Sequence, residues 1–185
     1  SVFSNPPGLS NAFGLPLSLE GLTSEHEMAV FEMAAHAFDE IAAMTELVRP
    51  HTGVVTSVDR AHLTYLNSLD EIAREKSQLL TRLPATGTAI LNYDDDRVRA
   101  MRNVTQADVI TYGLSPDADI VASDLKPDAD GLRLVVHCPG VAGLGFPGYP
   151  AKSEVRSNLL GRHQAYAILA GIAVGMRYGV PWSDI

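Results

Sequence analysis

With 185 residues, 46% hydrophobic and 19% charged, the chain is long enough for one domain with a sizeable core. The formal net charge of −8 excludes a general binder of phosphate backbones, and no apolar run is long enough to span a bilayer. Cys138 is the only cysteine, which excludes an internal disulfide and points to a reducing, cytoplasmic setting. The first residue is Ser1 rather than Met and no signal-peptide pattern follows, so a processed product or a piece of a longer protein is expected.

Residues 1–14 (SVFSNPPGLSNAFG) are rich in Pro, Gly, Ser and Asn and predict a surface loop, in which Asn5 and Asn11 could offer amide contacts to a ligand. Residues 15–22 predict a short helix. Residues 27–33 (EMAVFEM) predict a strand that delivers Glu32 at its carboxyl end, where open α/β sheets collect ligands. Residues 35–48 carry a helical period through Ala35, Phe38, Ile41, Ala42 and Leu47, and Pro50 stops it. His36 and Glu40 would sit one turn apart on that helix, as a side-chain pair or as half of a metal site, the pair being the simpler reading.

The organising stretch is 52–80, TGVVTSVDRAHLTYLNSLDEIAREKSQLL. Val54, Val55 and Val58 predict a buried strand, a turn carries His62, and an amphipathic helix follows. Asn67 or Ser68 can cap this helix, with Glu71 in its first turn. Leu69, Ile72, Ala73, Lys76, Leu79 and Leu80 recur at helical spacing, which puts Lys76 on or beside the apolar face. An amine held there tends to lose its proton; a stem that snorkels to water is the plainer alternative.

Residues 87–91 predict a strand. Asn92 and Asp94, Asp95 and Asp96 predict a turn and cap before a helix over 97–102. Consecutive carboxylates rarely converge on one cation, so capping is the expectation. Residues 107–112 predict another strand. From Asp117 to Cys138 apolar and polar residues alternate about Asp130 and Gly131, an antiparallel hairpin pattern. Residues 141–153 are Gly/Pro-rich, 154–158 predict a short strand, and 161–178 predict a helix ended by Gly179, with a final turn at Pro181.

No Walker A, GxGxxG, CxxC or HExxH pattern occurs, and no internal repeat. Glu32, His62 and Lys76 form a loose constellation, in which a carboxylate and an imidazole suit a divalent cation. A lone His after a strand is more often satisfied structurally.

Five segments give this constellation a context: NAFGLPLSL at 11–19, AVFEMAAH at 29–36, AHLTYLNSLDEIAREKSQLL at 61–80, AILNYDDDRV at 89–98 and GRHQAYAILAGIAV at 161–174. In order and spacing they resemble the central domain of the Mur ligases, most closely the branch that adds D-Ala-D-Ala. The resemblance implies a three-layer α/β/α domain of P-loop-NTPase-like type over residues 1–185. Its sheet would be mostly parallel with an antiparallel hairpin, lacking the P-loop unit. It implies ATP and Mg²⁺ as cofactors. The implied partners are a UDP-N-acetylmuramoyl peptide and D-Ala-D-Ala or another amino acid, with no nucleic acid and no membrane.

By the same resemblance Glu32, His62 and Lys76 are catalytic, magnesium-site residues, with Lys76 carried as a carbamate. Asn11 and Ser57 face substrate, and His163 and Gln164 lie near the nucleotide. Gln164, Ala167, Ser57 and Ala34 depart from the usual family residues, which are Asn at the first three positions and Gly or Ser at the last. A GxxGKT loop would precede Ser1, and without it this chain alone is expected to be inactive. The alternatives are a folylpolyglutamate-synthase-like amide ligase, or a non-catalytic module that keeps the fold.

Overall fold

The computed structural model describes residues 1–60, 68–139 and 148–185. Its strands in chain order are β1 (Val2–Ser4), β2 (Met28–Val30), β3 (Thr52–Val55), β4 (Thr88–Asn92), β5 (Asp108–Gly113), β6 (Ile120–Asp128), β7 (Gly131–His137) and β8 (Lys152–Ser157). The α-helices are α1 (Gly14–Ser18), α2 (Glu40–Val48), α3 (Leu69–Thr81), α4 (Asp96–Ala100) and α5 (Gln164–Arg177). Short 3-10 turns follow at Leu19–Gly21, Met101–Val104 and Trp182–Asp184.

Strands β3, β4, β5 and β6 lie side by side in parallel, and β7 and β8 extend the same sheet as an antiparallel meander. The expected Asp-Gly turn joins β6 to β7. Gly131 has φ of +147°, and a Cβ there would strike the backbone oxygen of Ser157, so glycine is required.

Alternation along the strands sorts the core by face. Ile90, Ile110, Tyr112, Ile120, Leu132 and Leu134 turn towards α5 and bury Leu169, Ile172 and Met176. Val55, Ala89 and Leu91 turn the other way and pack with Leu80 of α3 and Val98 of α4. Helices therefore cover both faces, as expected of a three-layer α/β fold. A smaller cluster of Leu15, Ile41 and Met44 joins α1 to α2. No helix among the described residues is long and apolar enough to cross a membrane.

Three expectations need correction. The amino-terminal stretch is not all loop, because Val2–Ser4 pairs in parallel with Met28–Val30, separate from the main sheet. Pro and Gly on its downstream side hid a three-residue strand. Next, β2 ends at Val30, so Glu32 lies two residues beyond it. Phe31 and Met33 turn into the small cluster instead. Asn5 holds this turn, accepting from the Glu32 amide at 2.8 Å and donating to the Glu32 carbonyl at 3.2 Å, so its carboxamide serves the fold.

Finally, α2 begins at Glu40, not Ala35. Asp39 takes a left-handed conformation (φ 66°), and the Glu40 carboxylate accepts the amides of His36 (2.6 Å) and Ala37 (3.2 Å). His36 and Glu40 thus do not share a helix, and no cluster of three metal-ligating side chains occurs among the described residues. Most of the Gly/Pro-rich 141–153 stretch lies outside the described residues.

Candidate functional site

One cavity runs along the length of β3, and a second lies beyond the carboxyl ends of β3 and β4. The first, about 780 Å³, opens between the β2 segment and β3, and Glu32 and Lys76 both line it. The second, about 680 Å³, is lined by Ser57, Asp94, Asp95, His163, Tyr166 and Ala167. Thr56 lines both, and Lys76 links them, donating from Nζ to the Ser57 carbonyl at 2.6 Å.

Lys76 reaches this position because α3 is anchored at both ends. The Ser68 hydroxyl accepts the Glu71 amide at 3.1 Å, the expected cap. Leu80 is fully buried against β3 and β4. Burial pushes the Lys76 ammonium below its usual range, while the carboxylates of Asp95 and Asp59 push back.

The three consecutive aspartates diverge, as capping requires. Asp95 accepts from Arg97 and Val98 with one oxygen, at 3.0 and 3.1 Å, which starts α4. Its other oxygen accepts the Val58 amide at 2.7 Å, pinning the segment after β3. Asp94 accepts the amides of Leu114 (2.6 Å) and Ser115 (3.1 Å) and the Tyr166 hydroxyl (3.1 Å). That approach needs Gly113, since a Cβ there would lie 2.8 Å from the Asp94 carboxylate. Asp96 pairs with Arg99 at 2.6 Å. Asn92 donates to the Thr56 carbonyl at 2.9 Å.

The structure brings some expected residues together and leaves others apart. Glu32 and Lys76 share the first cavity, and Ser57 and His163 share the second. Gln164 Nε2 lies 3.2 Å from His163 Nε2 at the start of α5. Asn11 lines neither cavity: its carboxamide oxygen accepts the amides of Phe13 (3.1 Å) and Gly14 (2.8 Å), which starts α1. His62 lies outside the described residues.

Sequence reasoning missed Glu75. It is 1% exposed, and its carboxylate accepts the amides of Asp39 (2.9 Å) and Ile41 (2.8 Å) at the start of α2. The signal was present, because Glu75 falls three residues after Ile72 and four before Leu79, on the apolar face. It also missed Tyr112. Its buried hydroxyl has no hydrogen-bond partner among the described residues, and burial raises its pKa, as do Asp95 and Tyr166.

An open, mostly parallel sheet covered by helices on both faces, with amine, carboxylate, imidazole and amide groups near the ends of its parallel strands, defines a three-layer α/β domain with a candidate ligand site. Within that class the chain matches the Mur ligase middle domain over residues 3–175 and belongs to that family.

The chain is 32% identical over 178 residues to the UDP-N-acetylmuramoyl-tripeptide–D-alanyl-D-alanine ligase of Mycobacterium tuberculosis H37Rv, covering 94% of this chain and 32% of that protein. It is 30% identical over 187 residues to the ligase of the same name from Synechocystis, covering 100% and 37%. It thus spans about a third of the length of these relatives.

Among solved structures, MurF from Acinetobacter baumannii superposes with a TM-score of 0.87 at 24% identity, covering 99% of this chain and 38% of that one. MurF from Thermotoga maritima, in complex with ADP, gives 0.81 at 22% identity, covering 97% and 39%. A folylpolyglutamate synthase mutant from L. casei gives 0.63 at 17% identity, covering 84% and 35%. These likenesses show the fold, and the P-loop unit of that fold is absent from these 185 residues.

Proposed function

We propose that this chain is the middle-domain portion of an ATP-dependent ligase that joins D-Ala-D-Ala to a UDP-N-acetylmuramoyl tripeptide. The observation that carries the reading is Lys76, a half-buried amine that shares one cavity with Glu32 and touches the wall of the other at Ser57. The names of the relatives supply the substrate class. The cytoplasmic setting expected from the sequence accords with it.

The chemistry of the donor set decides whether magnesium fits. As an ammonium, Lys76 would repel the ion. As a carbamate it presents hard oxygen donors to the cavity that Glu32 also lines, and such donors suit Mg²⁺. In that state Glu32, Lys76 and, by the family resemblance, His62 would hold the ion. When bound, it would neutralise charge between a nucleotide and a substrate carboxylate.

The burial that lowers the Lys76 pKa favours the neutral amine. That amine adds to the carbon of carbon dioxide, one N–C bond forms, and an N–H proton leaves to solvent. Asp95 and Asn92 fix the segment that carries Thr56, Ser57 and Val58, so the wall between the cavities is held by hydrogen bonds. His163 and Gln164 at the start of α5 are the nucleotide-side residues of this reading.

The test is phosphate release by a longer protein that contains this segment, given ATP, the UDP-linked tripeptide and D-Ala-D-Ala. Turnover is expected, and Lys76→Ala should lower it by at least about a hundredfold, with partial rescue by short carboxylic acids. Full activity of that variant would leave snorkelling as the better account. A preference for glutamate and a pteroyl substrate would favour the folylpolyglutamate-synthase-like reading. The 185-residue chain alone should release no phosphate, because it has no Gly-rich backbone cradle for the triphosphate.

A further inference from the structure

We infer that Tyr166, hydrogen-bonded to Asp94, makes the second cavity selective for a nucleobase that carries an exocyclic amine, adenine rather than a 6-oxopurine. The inference rests on the ligase reading above, in which that cavity faces the nucleotide. It adds how this chain reads the base with the residues it has.

At the start of α5 the cavity is lined by His163, Tyr166 and Ala167. Ala167 has no polar side-chain atom. Gln164 does not line the cavity, and its amide nitrogen lies 3.2 Å from His163 Nε2. Neither of these two positions, where the family usually carries Asn, puts a carboxamide on this wall. A carboxamide holds both a donor and an acceptor and can turn either one to a base. Tyr166 has no such freedom. Its hydroxyl donates to Asp94 at 3.1 Å. Burial, and then the Asp94 carboxylate, raises its pKa, so the hydroxyl keeps its proton at neutral pH. With that proton committed, only the lone pairs of Oη remain to meet a ligand.

The neighbouring groups of the same cavity leave the same balance. Asp94 already accepts the amides of Leu114 and Ser115, and Asp95 those of Val58, Arg97 and Val98. The Asn92 carboxamide donates to the Thr56 carbonyl and accepts the Asp94 amide at 3.0 Å. The Arg97 guanidinium is paired with Asp70 at 2.9 Å. The donors of Asn92 and Arg97 are thus directed elsewhere, and the corner around Tyr166 presents oxygen acceptors and negative charge. An amine hydrogen of adenine meets an acceptor there. The carbonyl oxygen of hypoxanthine meets oxygen against oxygen. A site built to bond a ligand N–H rejects the analogue that lacks it, because its own polar groups are left unpaired.

The test is equilibrium binding, with no turnover. A longer protein that contains this segment is titrated calorimetrically with ATP and with inosine triphosphate, each with magnesium. ATP should bind at least about tenfold more tightly. Tyr166→Phe keeps the ring and removes only the hydroxyl. It should weaken ATP, leave inosine triphosphate unchanged, and bring the ratio below about threefold. A urea midpoint close to that of the unaltered protein checks folding, and the ratio in the unaltered protein needs no variant at all.

Equal binding of the two nucleotides by the unaltered protein overturns the inference and leaves the ligase reading standing. So does a Tyr166→Phe variant that keeps the full preference, which would assign the base reading to Asp94 or to another group. Binding of neither nucleotide overturns the ligase reading, and this inference with it.

Discussion

The two ends of the main sheet are built by different means. Towards the β7 and β8 end a single large cluster, which reaches back along the α5 face to Ile90 of β4, packs the sheet, with Ile120, Leu132, Leu134, Leu169 and Met176 all at most 1% exposed. At the β3 end the apolar clusters are smaller, and hydrogen bonds do much of the positioning. Glu75 caps α2, Lys76 reaches Ser57, Asp95 holds Val58, and Asn92 holds Thr56. The candidate side chains gather at this second end. Packing is non-directional and fixes a layer, whereas hydrogen bonds have defined partners and fix a backbone segment. A site that must present an amine and a carboxylate to one cavity needs the second kind of restraint.

The comparison breaks most readily at the apolar end. Leu169→Ala should lower global stability by about 3 kcal/mol, because a fully buried leucine is replaced by a cavity between α5 and the sheet. Urea unfolding would show it as a lower midpoint with an unchanged slope. A cost below about 1 kcal/mol would mean that this cluster is not what closes the sheet.

At the polar end Glu75→Ala should cost less, about 2 kcal/mol, since it strands the amides of Asp39 and Ile41 at the start of α2. The loss should be local. Hydrogen exchange should accelerate in α2 while β6 and β7 stay protected, and Glu75→Gln, which keeps an acceptor, should lose less. Equal acceleration across β6 and β7 would show that the two ends are one cooperative unit.

What the sequence disclosed follows the same division. The apolar end was legible, because strand alternation, the Asp-Gly turn and the α5 period each report a local rule. The Ser68 cap and the three diverging aspartates were legible for the same reason, being contacts within a few residues. The polar end was legible only in part. Glu75 to α2 spans 34 and 36 residues and Asp95 to Val58 spans 37, and no local pattern announces such pairings. Lys76 stood out because an amine is unexpected on an apolar face, whereas the local role of Asn11 was not legible because an amide that starts a helix and one that contacts a ligand look alike in sequence. The short strand β1 was hidden because its partner β2 is 26 residues away.

The smallest expected effect sharpens the comparison through pH, with one titrating group at each end. Cys138, 1% exposed beyond β7, has its thiol pushed by burial from 9.0 up to about 11. Between those values the unfolded chain has released the proton and the folded chain has kept it. The folded state then binds more protons, so stability falls as the pH rises from about 9 to about 11. Lys76 works in the opposite direction. Its folded pKa lies below the usual 10.5, so over the window beneath 10.5 the unfolded chain binds more protons and stability rises with pH. Urea midpoints measured from pH 8 to pH 11 should therefore lose the falling contribution in Cys138→Ala and the rising one in Lys76→Met. Should Lys76→Met leave the alkaline profile unchanged, the amine would be as well solvated folded as unfolded, and the β3 end would lack the desolvated lysine on which the carbamate reading depends.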